Sequence, residues 1–316
     1  MKNIPILSIV VPCYNEQEAF KLCLTELLTR INEMIKRGKI SPKSNIVFVD
    51  DGSIDNTWSL IASMGKDLEQ VKGLKLSKNK GHQIALIAGL EACQDSDITI
   101  SIDADLQDDT TVIEKMVDSY NSGIDIVYGV RNNRSTDSLF KRYSAELFYK
   151  TMTMMGVNQI ENHADFRLLS KRALASLLKY KEQNLYIRGL IPLIGFQSEK
   201  VYYSRDERVA GESKYPLKKM IGLALEGITS FSVVPLRIVT ALGFIISILS
   251  SLGVFYTLIQ YLLGHTVSGW TSVILAILFI GGVQMLCLGV IGEYVGKIYI
   301  ETKSRPKYFI DGKINL

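Results

Sequence analysis

The chain has 316 residues, with 36 Lys and Arg against 32 Asp and Glu and a formal net charge of +4. That small excess sits largely beside two long apolar runs, and no RNA or DNA recognition motif is present, which argues against a nucleic-acid-binding protein. The four cysteines (Cys13, Cys23, Cys93, Cys287) are scattered without a CxxC pair, as expected in a reducing compartment.

In chain order, "ILSIVVP" (6–12) is predicted as a strand; it is too short for a signal peptide and runs into "CYNE". A helix is expected over about 16–37, a strand at "NIVFVD" (45–50), and a helix at 57–70. "GLKLS" (73–77) is a third strand, and "HQIALIAGLEAC" (82–93) a helix with apolar residues at helical spacing. "DITISID" (97–103) is a fourth strand, "TVIEKMVDSYNSG" a helix, and "DIVYGV" (125–130) a fifth strand. This alternation predicts an α/β domain with a mainly parallel sheet. Ligands in such sheets bind at the carboxyl ends of the strands. The motifs "PCYNE", "DDGS" and "DADLQD" all fall there.

From about residue 138 the pattern is helical and less regular, and "PLKKMIGLALEGITSF" (216–231) suits a helix on a membrane surface. Residues 238–263 and 270–291 contain no Asp, Glu, Lys or Arg, and each exceeds the roughly 20 residues that cross a bilayer. Two transmembrane helices are predicted. Lys214, Lys218, Lys219 and Arg237 precede them and Lys297, Lys303, Arg305 and Lys307 follow, so both ends are expected in the cytoplasm. The expected division is a cytoplasmic catalytic domain (1–213), a juxtamembrane helix (214–232), a transmembrane hairpin (233–297) and a cytoplasmic tail (298–316).

The stretch "SIDADLQDD" carries four carboxylates within seven residues. Like charges so close repel, and a divalent cation relieves that. Asp103, Asp105 and Gln107 alternate at a strand end and offer only oxygen ligands, which suits Mg²⁺ or Mn²⁺ bridging a diphosphate. Asp109 is expected to cap the next helix instead. In "VDDGSIDNT", Asp55 is a turn residue, whereas Asp51 can accept a hydrogen bond from a base. Pro12 and Tyr14 offer an apolar shelf. His82, at a helix start, is left open between a cleft and a structural role; His265 lies in the short loop between the apolar runs.

Taken together, "PCYNE", "VDDGSIDNT", "NKGHQIALIAGL", "DADLQDD", "DIVYGVR", "DFRLLS", "YIRGL", "GESKY" and "GEYVGKIYIETKSRP" resemble the polyprenyl-phosphate glycosyltransferases of the GT-A fold. These are the dolichol-phosphate-mannose-synthase-like group, in the bacterial undecaprenyl-phosphate branch with two C-terminal transmembrane helices. The resemblance implies a GT-A domain followed by that hairpin. It implies a nucleotide-sugar pocket of Pro12, Tyr14, Glu16, Asp51 and Asp103, with Arg208 and Lys214 in a segment closing over the donor diphosphate. It implies a metal site at Asp103, Asp105 and Gln107, lipid-phosphate contacts from Arg131 and Arg142, and catalytic importance for Asp105, Arg131 and Asp165. Asp165 is left open between a base and an orienting group, and His163 stands where the family pattern has a small residue. The implied reaction is metal-dependent, inverting transfer of a hexose, glucose foremost, from a UDP-sugar to undecaprenyl phosphate at the cytoplasmic face of the inner membrane. A flippase and a downstream glycosyltransferase are the implied partners.

Two further expectations come from the apolar runs. Arg237 precedes the middle of their connecting loop, near 265, by as many residues as Glu293 follows it, so the two are expected to pair within one chain or between subunits. Gly281, Gly282, Gly289, Gly292 and Gly296 thin one face of the second helix, as close packing requires, which suits a homo-oligomer, a tetramer among the options. Two other classes share parts of the pattern. A processive polysaccharide synthase carries more spans and a QxxRW motif, neither evident here. A non-catalytic nucleotide-sugar-binding membrane protein has no need of the acidic motif and the arginines together.

Overall fold

The computed structural model describes residues 4–132, 163–183, 186–204, 232–263 and 269–316. Arg142, Arg208, Lys214, His265 and the juxtamembrane segment 216–231 lie outside the described residues. Two compact units are present: one formed by 1–149, 158–215 and 305–316, the other by 150–157 and 216–304.

The first unit is a sheet of eight strands among the described residues. They are β1 (Leu7–Cys13), β2 (Asn45–Asp50), β3 (Val71–Leu76), β4 (Ile98–Ser101), β5 (Ile126–Arg131), β6 (His163–Ser170), β7 (Ser198–Tyr203) and β8 (Ile310–Ile314), in the spatial order β7-β5-β6-β4-β1-β2-β3-β8. The β3-β2-β1-β4 core is parallel. β6 runs antiparallel between β4 and β5, and β7 pairs parallel with β5. Every residue of β1 and β2 is buried, which is why both read as near-continuous apolar runs: helices cover both faces of a parallel sheet. Helix α1 (Phe20–Lys36) turns Phe20, Cys23, Leu24, Leu27, Ile31 and Met34 inward, the spacing of one helical face. The other crossovers are α2 (Thr57–Asp67), α3 (His82–Ala92) and α4 (Val112–Asn121). Helix α3 packs so tightly that a Cβ at Gly89 would stand 2.4 Å from Val10 Cγ1 and 2.6 Å from Val49 Cγ2. That approach sets its first residue, His82, close over the carboxyl ends of the central strands. Short helices α5 (Lys171–Leu177) and α6 (Ile187–Leu193) follow β6.

The last residues are more than a tail. Strand β8 pairs antiparallel with β3 and covers the edge that β3 would otherwise present. Ile314 fills the space left by Gly65 and Gly73, and Asn315 Nδ2 donates to the carbonyls of Gly65 (2.6 Å) and Val71 (3.0 Å).

The second unit contains α7 (Val234–Leu262) and α8 (Trp270–Thr302), both long and apolar enough to cross a membrane. The expected Arg237–Glu293 pair is not formed within the chain: both side chains are exposed and no ion pair joins them. Tyr294 Oη instead donates to the Ser232 carbonyl at 2.7 Å. Residue 294 is thus level with 232, and Arg237 lies five residues, about 7.5 Å of helix rise, further along. Among the described residues the α8 glycines do not pack on α7 either, since a Cβ at Gly281, Gly282, Gly289, Gly292 or Gly296 would meet nothing there within 4 Å.

Candidate active site

The parallel register brings the ends of β1 and β2 together, Cys13 opposite Asp50, so the loops carrying "PCYNE" and "DDGSIDNT" leave the sheet side by side. They are zipped by hydrogen bonds. Asn15, in the left-handed region at φ 55°, donates its backbone N–H to Ser53 Oγ (2.9 Å), and Asn15 Oδ1 accepts from Ile54 N (3.0 Å). Glu16 N donates to Thr57 Oγ1 (2.9 Å) and Gln17 N to Asp55 Oδ2 (3.2 Å). Asp55 is the expected turn residue, also accepting from Thr57 N. Pro12 is buried within β1, so of the expected apolar shelf only Tyr14, 45 % exposed, presents an open face. Asp51 is buried and accepts from the backbone N–H groups of Lys80 (2.7 Å) and Gly81 (2.8 Å). It holds the loop entering α3, and each oxygen keeps a second lone pair for a ligand. Gly52, at φ 67°, permits this arrangement, since a Cβ there would lie 2.7 Å from Asn79 N.

The acidic loop after β4 divides its four carboxylates among different tasks. Asp109 Oδ1 accepts from Thr111 N (2.9 Å) at the start of α4, the capping role expected. Asp108 is buried: Tyr203 Oη donates to its Oδ1 at 2.5 Å, and Arg131 Nη2 stands 3.0 Å from the same oxygen. Arg131, expected as a lipid-phosphate contact, is therefore already paired one to one with a buried carboxylate. Asp105 Oδ1 accepts from Gln107 N (3.2 Å), and Gln107 is buried. Between them Leu106 adopts φ 52°, an uncommon conformation for a branched residue and one that clusters at functional sites.

Asp108 keeps a buried oxygen without a hydrogen-bond partner, Oδ2, and so does Asp103. Its Oδ1 is buried without a hydrogen-bond partner, the closest cation being His82 Nε2 at 3.6 Å. Burial pushes its carboxyl up to about 6, opposed by His82 and reinforced by Asp165, Asp108 and Asp105. Among the described residues no three Asp, Glu, His or Cys side chains converge as a preformed metal centre. The expected set of Asp103, Asp105 and Gln107 is thus not a closed cage. Mg²⁺ is commonly held by one or two carboxylates, with waters and substrate phosphates completing the shell. An orphaned carboxylate oxygen beside a second carboxylate fits that donor set.

Across β4, strand β6 contributes Asp165. Ser101 Oγ donates to the Asp165 carbonyl at 2.5 Å and fixes its position. The buried carboxylate receives Arg188 in a two-bond contact, Nε to Oδ1 at 3.2 Å and Nη2 to Oδ2 at 3.0 Å. It is also bonded by Nη2 of Arg167, which is buried, and His82 Nε2 lies 3.4 Å from Oδ2. Burial alone would raise the Asp165 carboxyl, but Arg167, His82 and Arg188 outweigh it and hold it well below the usual carboxylate range. Burial likewise disfavours the charged form of His82, and Asp165 and Asp103 overcome it, raising its pKa. Helix α6, which carries Arg188, is tied to α3 through Ile187 N donating to Gln83 Oε1 (3.2 Å).

Of the expected site residues, Tyr14, Asp51, Asp103, Asp105, Asp165 and Arg131 lie at one end of the sheet. His82 joins them by linking Asp103 to Asp165. Arg188, Arg167 and Asp108 are the additions. The signal for Arg188 was a lone charge in the otherwise apolar "IRGLIPL".

Comparison with known proteins identifies the family. The model of glycosyl transferase family 2 matches residues 8–178, and that of the GtrB C-terminal hairpin matches 234–298. The chain is 52 % identical over 97 % of its length to "Uncharacterized glycosyltransferase YkoT" of Bacillus subtilis (strain 168), covering 91 % of that protein. It is 40 % identical over 97 % of its length to the "Bactoprenol glucosyl transferase" of Shigella phage SfX, covering 99 % of it. Among solved structures, the mannosyltransferase PcManGT of Pyrobaculum calidifontis in complex with GDP-Man and Mn²⁺ is similar at 16 % identity and a TM-score of 0.47, covering 94 % of this chain and 85 % of that one. The motif loops at the sheet's carboxyl end, the apolar hairpin, the two family matches and the relatives aligned over nearly the whole chain have one explanation: the chain is a glycosyltransferase of family 2, built on a GT-A-like domain and completed by a GtrB-type C-terminal hairpin.

Proposed function

We propose that the protein transfers glucose from UDP-glucose to a polyprenyl phosphate, undecaprenyl phosphate in a bacterial membrane, with inversion at the anomeric carbon. The observation that carries this is the order of chemistry across the sheet. Nucleotide-type loops stand over β1 and β2, an orphaned carboxylate over β4, and an arginine-rich cluster over β6. The glucosyl and lipid parts rest on the bactoprenol glucosyl transferase name of relatives aligned over nearly the whole chain.

In this reading Tyr14 stacks on the base and Asp51 accepts from it, with Glu16 nearby. Asp103 and Asp105, with Gln107, hold a divalent cation. Bound there, Mg²⁺ or Mn²⁺ supplies positive charge to the leaving diphosphate. An oxygen lone pair of the acceptor phosphate forms the bond to the anomeric carbon. The bond from that carbon to the diphosphate oxygen breaks, and its electron pair departs with UDP. The acceptor is already ionised near neutrality, so no proton must be removed. Asp165, held anionic between two guanidinium groups, is a poor base and an effective anchor. Arg131, neutralised by Asp108, shapes the wall of the site, and Arg142, Arg208 and Lys214 are reserved for acceptor and donor phosphates. The hairpin spans the inner membrane with both ends cytoplasmic, as its Lys and Arg flanks favour. The lipid-linked sugar then passes to a flippase and a second transferase, and homo-oligomer formation is proposed through the exposed face of α8.

The test is label transfer by full-length protein in detergent, with a panel of labelled UDP-sugars, with and without undecaprenyl phosphate, EDTA or Asp105→Ala. Glucose label in the lipid fraction that requires both acceptor and cation is expected. Label that remains aqueous despite UDP-glucose binding refutes the reaction.

A further inference from the structure

We infer that Tyr203 is a positioning residue for the cation site: by donating to Asp108 it fixes the acidic loop in the shape that presents Asp103 and Asp105. This rests on the cation reading proposed above and deepens it, naming a residue that acts through the loop and not on the ion itself.

The loop is a shape that has to be held. It leaves the sheet at Ile102, whose N–H donates to the Val10 carbonyl (3.1 Å), and at its far end Thr110 Oγ1 donates to Glu26 Oε1 on α1 (2.7 Å). Between these points lie Asp103, Asp105 and the positive φ of Leu106, a conformation that a branched residue keeps only where its surroundings impose it. Two residues after Leu106, strands β5 and β7 take hold of the loop. Asp108 Oδ1 accepts from Tyr203 Oη (2.5 Å) and from Arg131 Nη2 (3.0 Å) and Nε (3.3 Å).

Tyr203 is placed to keep its oxygen still. It ends β7 opposite Arg131, the last residue of β5, and its carbonyl accepts from Asn132 N (2.8 Å). Its ring stands edge-on to Phe166, 5.6 Å between centroids, and the residue is buried. The phenol donates to Asp108 and accepts from Arg131 Nε (3.3 Å), so both of its hydrogen-bonding capacities serve this cluster. Burial and the Asp108 carboxylate push the phenol above its ordinary pKa, which keeps it a donor.

The state of Asp108 makes that donor matter. Among the described residues Asp108 pairs with one cation, Arg131, and its own charge adds to the repulsion that raises Asp103. Its Oδ2 is buried without a hydrogen bond, so the anion is held through Oδ1. A buried carboxylate already short of donors cannot lose another without shifting toward water or toward a cation. Such a shift draws Asp108 away from β7 and pulls on the turn at Leu106, and with it on Asp105 and Asp103. The loop sits over β4, whereas Tyr203 ends β7 at the far side of β6 and β5, so the tie is anchored in strands that carry neither expected cation ligand.

The test compares full-length wild-type protein in detergent with Tyr203→Phe, Asp108→Ala, the double variant, and Tyr202→Phe, whose exposed ring lies on the same strand. Mn²⁺ binding is titrated in the presence of UDP by the electron paramagnetic resonance signal of the free ion, and UDP binding is measured separately in EDTA. Tyr203→Phe is expected to weaken Mn²⁺ by about five- to tenfold and to leave UDP in EDTA within about twofold. Tyr202→Phe should move neither. In label transfer, Tyr203→Phe should need more Mn²⁺ for half its maximal rate by a similar factor. Because Tyr203 acts through Asp108, the double variant should bind Mn²⁺ no more weakly than Asp108→Ala alone. UDP binding in EDTA also reports that each preparation is folded. Unchanged Mn²⁺ affinity in Tyr203→Phe overturns the assignment, as does a parallel loss of UDP in EDTA, or a loss in the double variant equal to the product of the two single losses; each leaves the reaction intact. A wild-type protein that binds no Mn²⁺ in the presence of UDP and transfers sugar equally well in EDTA overturns the cation reading and the assignment together.

Discussion

Asp103→Asn should make the ligand-free protein more stable while removing its response to cation. In the wild type, burial raises the Asp103 carboxyl from 3.8 to about 6, and Oδ1 has no hydrogen bond. At about 1.4 kcal/mol for each tenfold change in acidity, that rise is about 3 kcal/mol against the charged form. A third of the side chain is exposed (33 %) and screened by solvent, so about 1–2 kcal/mol is the more reasonable figure. The sign follows from proton binding: between pH 4 and 6 the folded state holds more protons than the unfolded one, so this group lowers stability as pH rises through that window. Thermal unfolding in detergent with EDTA at pH 7.5 should place Asp103→Asn about 3–6 °C above wild type, the gap narrowing towards pH 5. Adding UDP and Mg²⁺ should stabilise the wild type and leave the variant nearly unmoved. An Asp103→Asn protein that melts below wild type in EDTA, or that gains as much from UDP and Mg²⁺, refutes the assignment of Asp103 as an unsatisfied anion awaiting a cation.

Two other consequences are accessible. Gly52→Ala puts a methyl group 2.7 Å from the Lys78–Asn79 backbone at a positive φ, which displaces the loop whose next amides hold Asp51; UDP-glucose affinity by calorimetry should fall about tenfold, with a stability loss of about 1–3 kcal/mol. Because the Asp165 carboxyl lies well below 3.8, its contribution to stability is fully present above that pH and is lost only as pH falls through the depressed value. The kcat profile between pH 5 and 8 should therefore show no limb belonging to Asp165, and Asp165→Asn should lower activity evenly across it; a limb that disappears in the variant restores Asp165 as a base.

Much of this was visible in the sequence because the central strands are local and one-sided in their demands. A strand buried on both faces must be apolar throughout, and "LSIVVPC" and "NIVFVD" announce it. The loops that follow carry carboxylates and glycine for reasons of chemistry, so their position at the strand ends was legible as well. Strands β6, β7 and β8 were not, because their character comes from partners far along the chain. "HADFRLLS" places charge inside the sheet, where Asp165 is met by Arg167, Arg188 and His82. "SEKVYY" is largely exposed and "IDGKI" is an edge strand with a glycine, so neither shows alternation. Arg188 was passed over for the same reason: its meaning is its carboxylate, 23 residues earlier in the chain. Arg131 shows the converse. Its strand-end position was read correctly, but no sequence pattern reveals that Asp108, among four neighbouring carboxylates, is the one that claims it.

Strand β8 has a bearing on the apolar helices that precede it. Residues before α7 and after α8 are woven into one sheet, β7 on the near side of the hairpin in sequence and β8 on the far side. A sheet cannot be divided by a bilayer, so any crossing made by the chain between β7 and β8 is matched by a return, an even number in all. That parity is a property of hydrogen bonding between β3 and β8 and owes nothing to the distribution of lysine and arginine. A substitution that reverses the charge flanks can turn the whole protein over, but it cannot leave one end of the hairpin behind without first pulling β8 from the sheet.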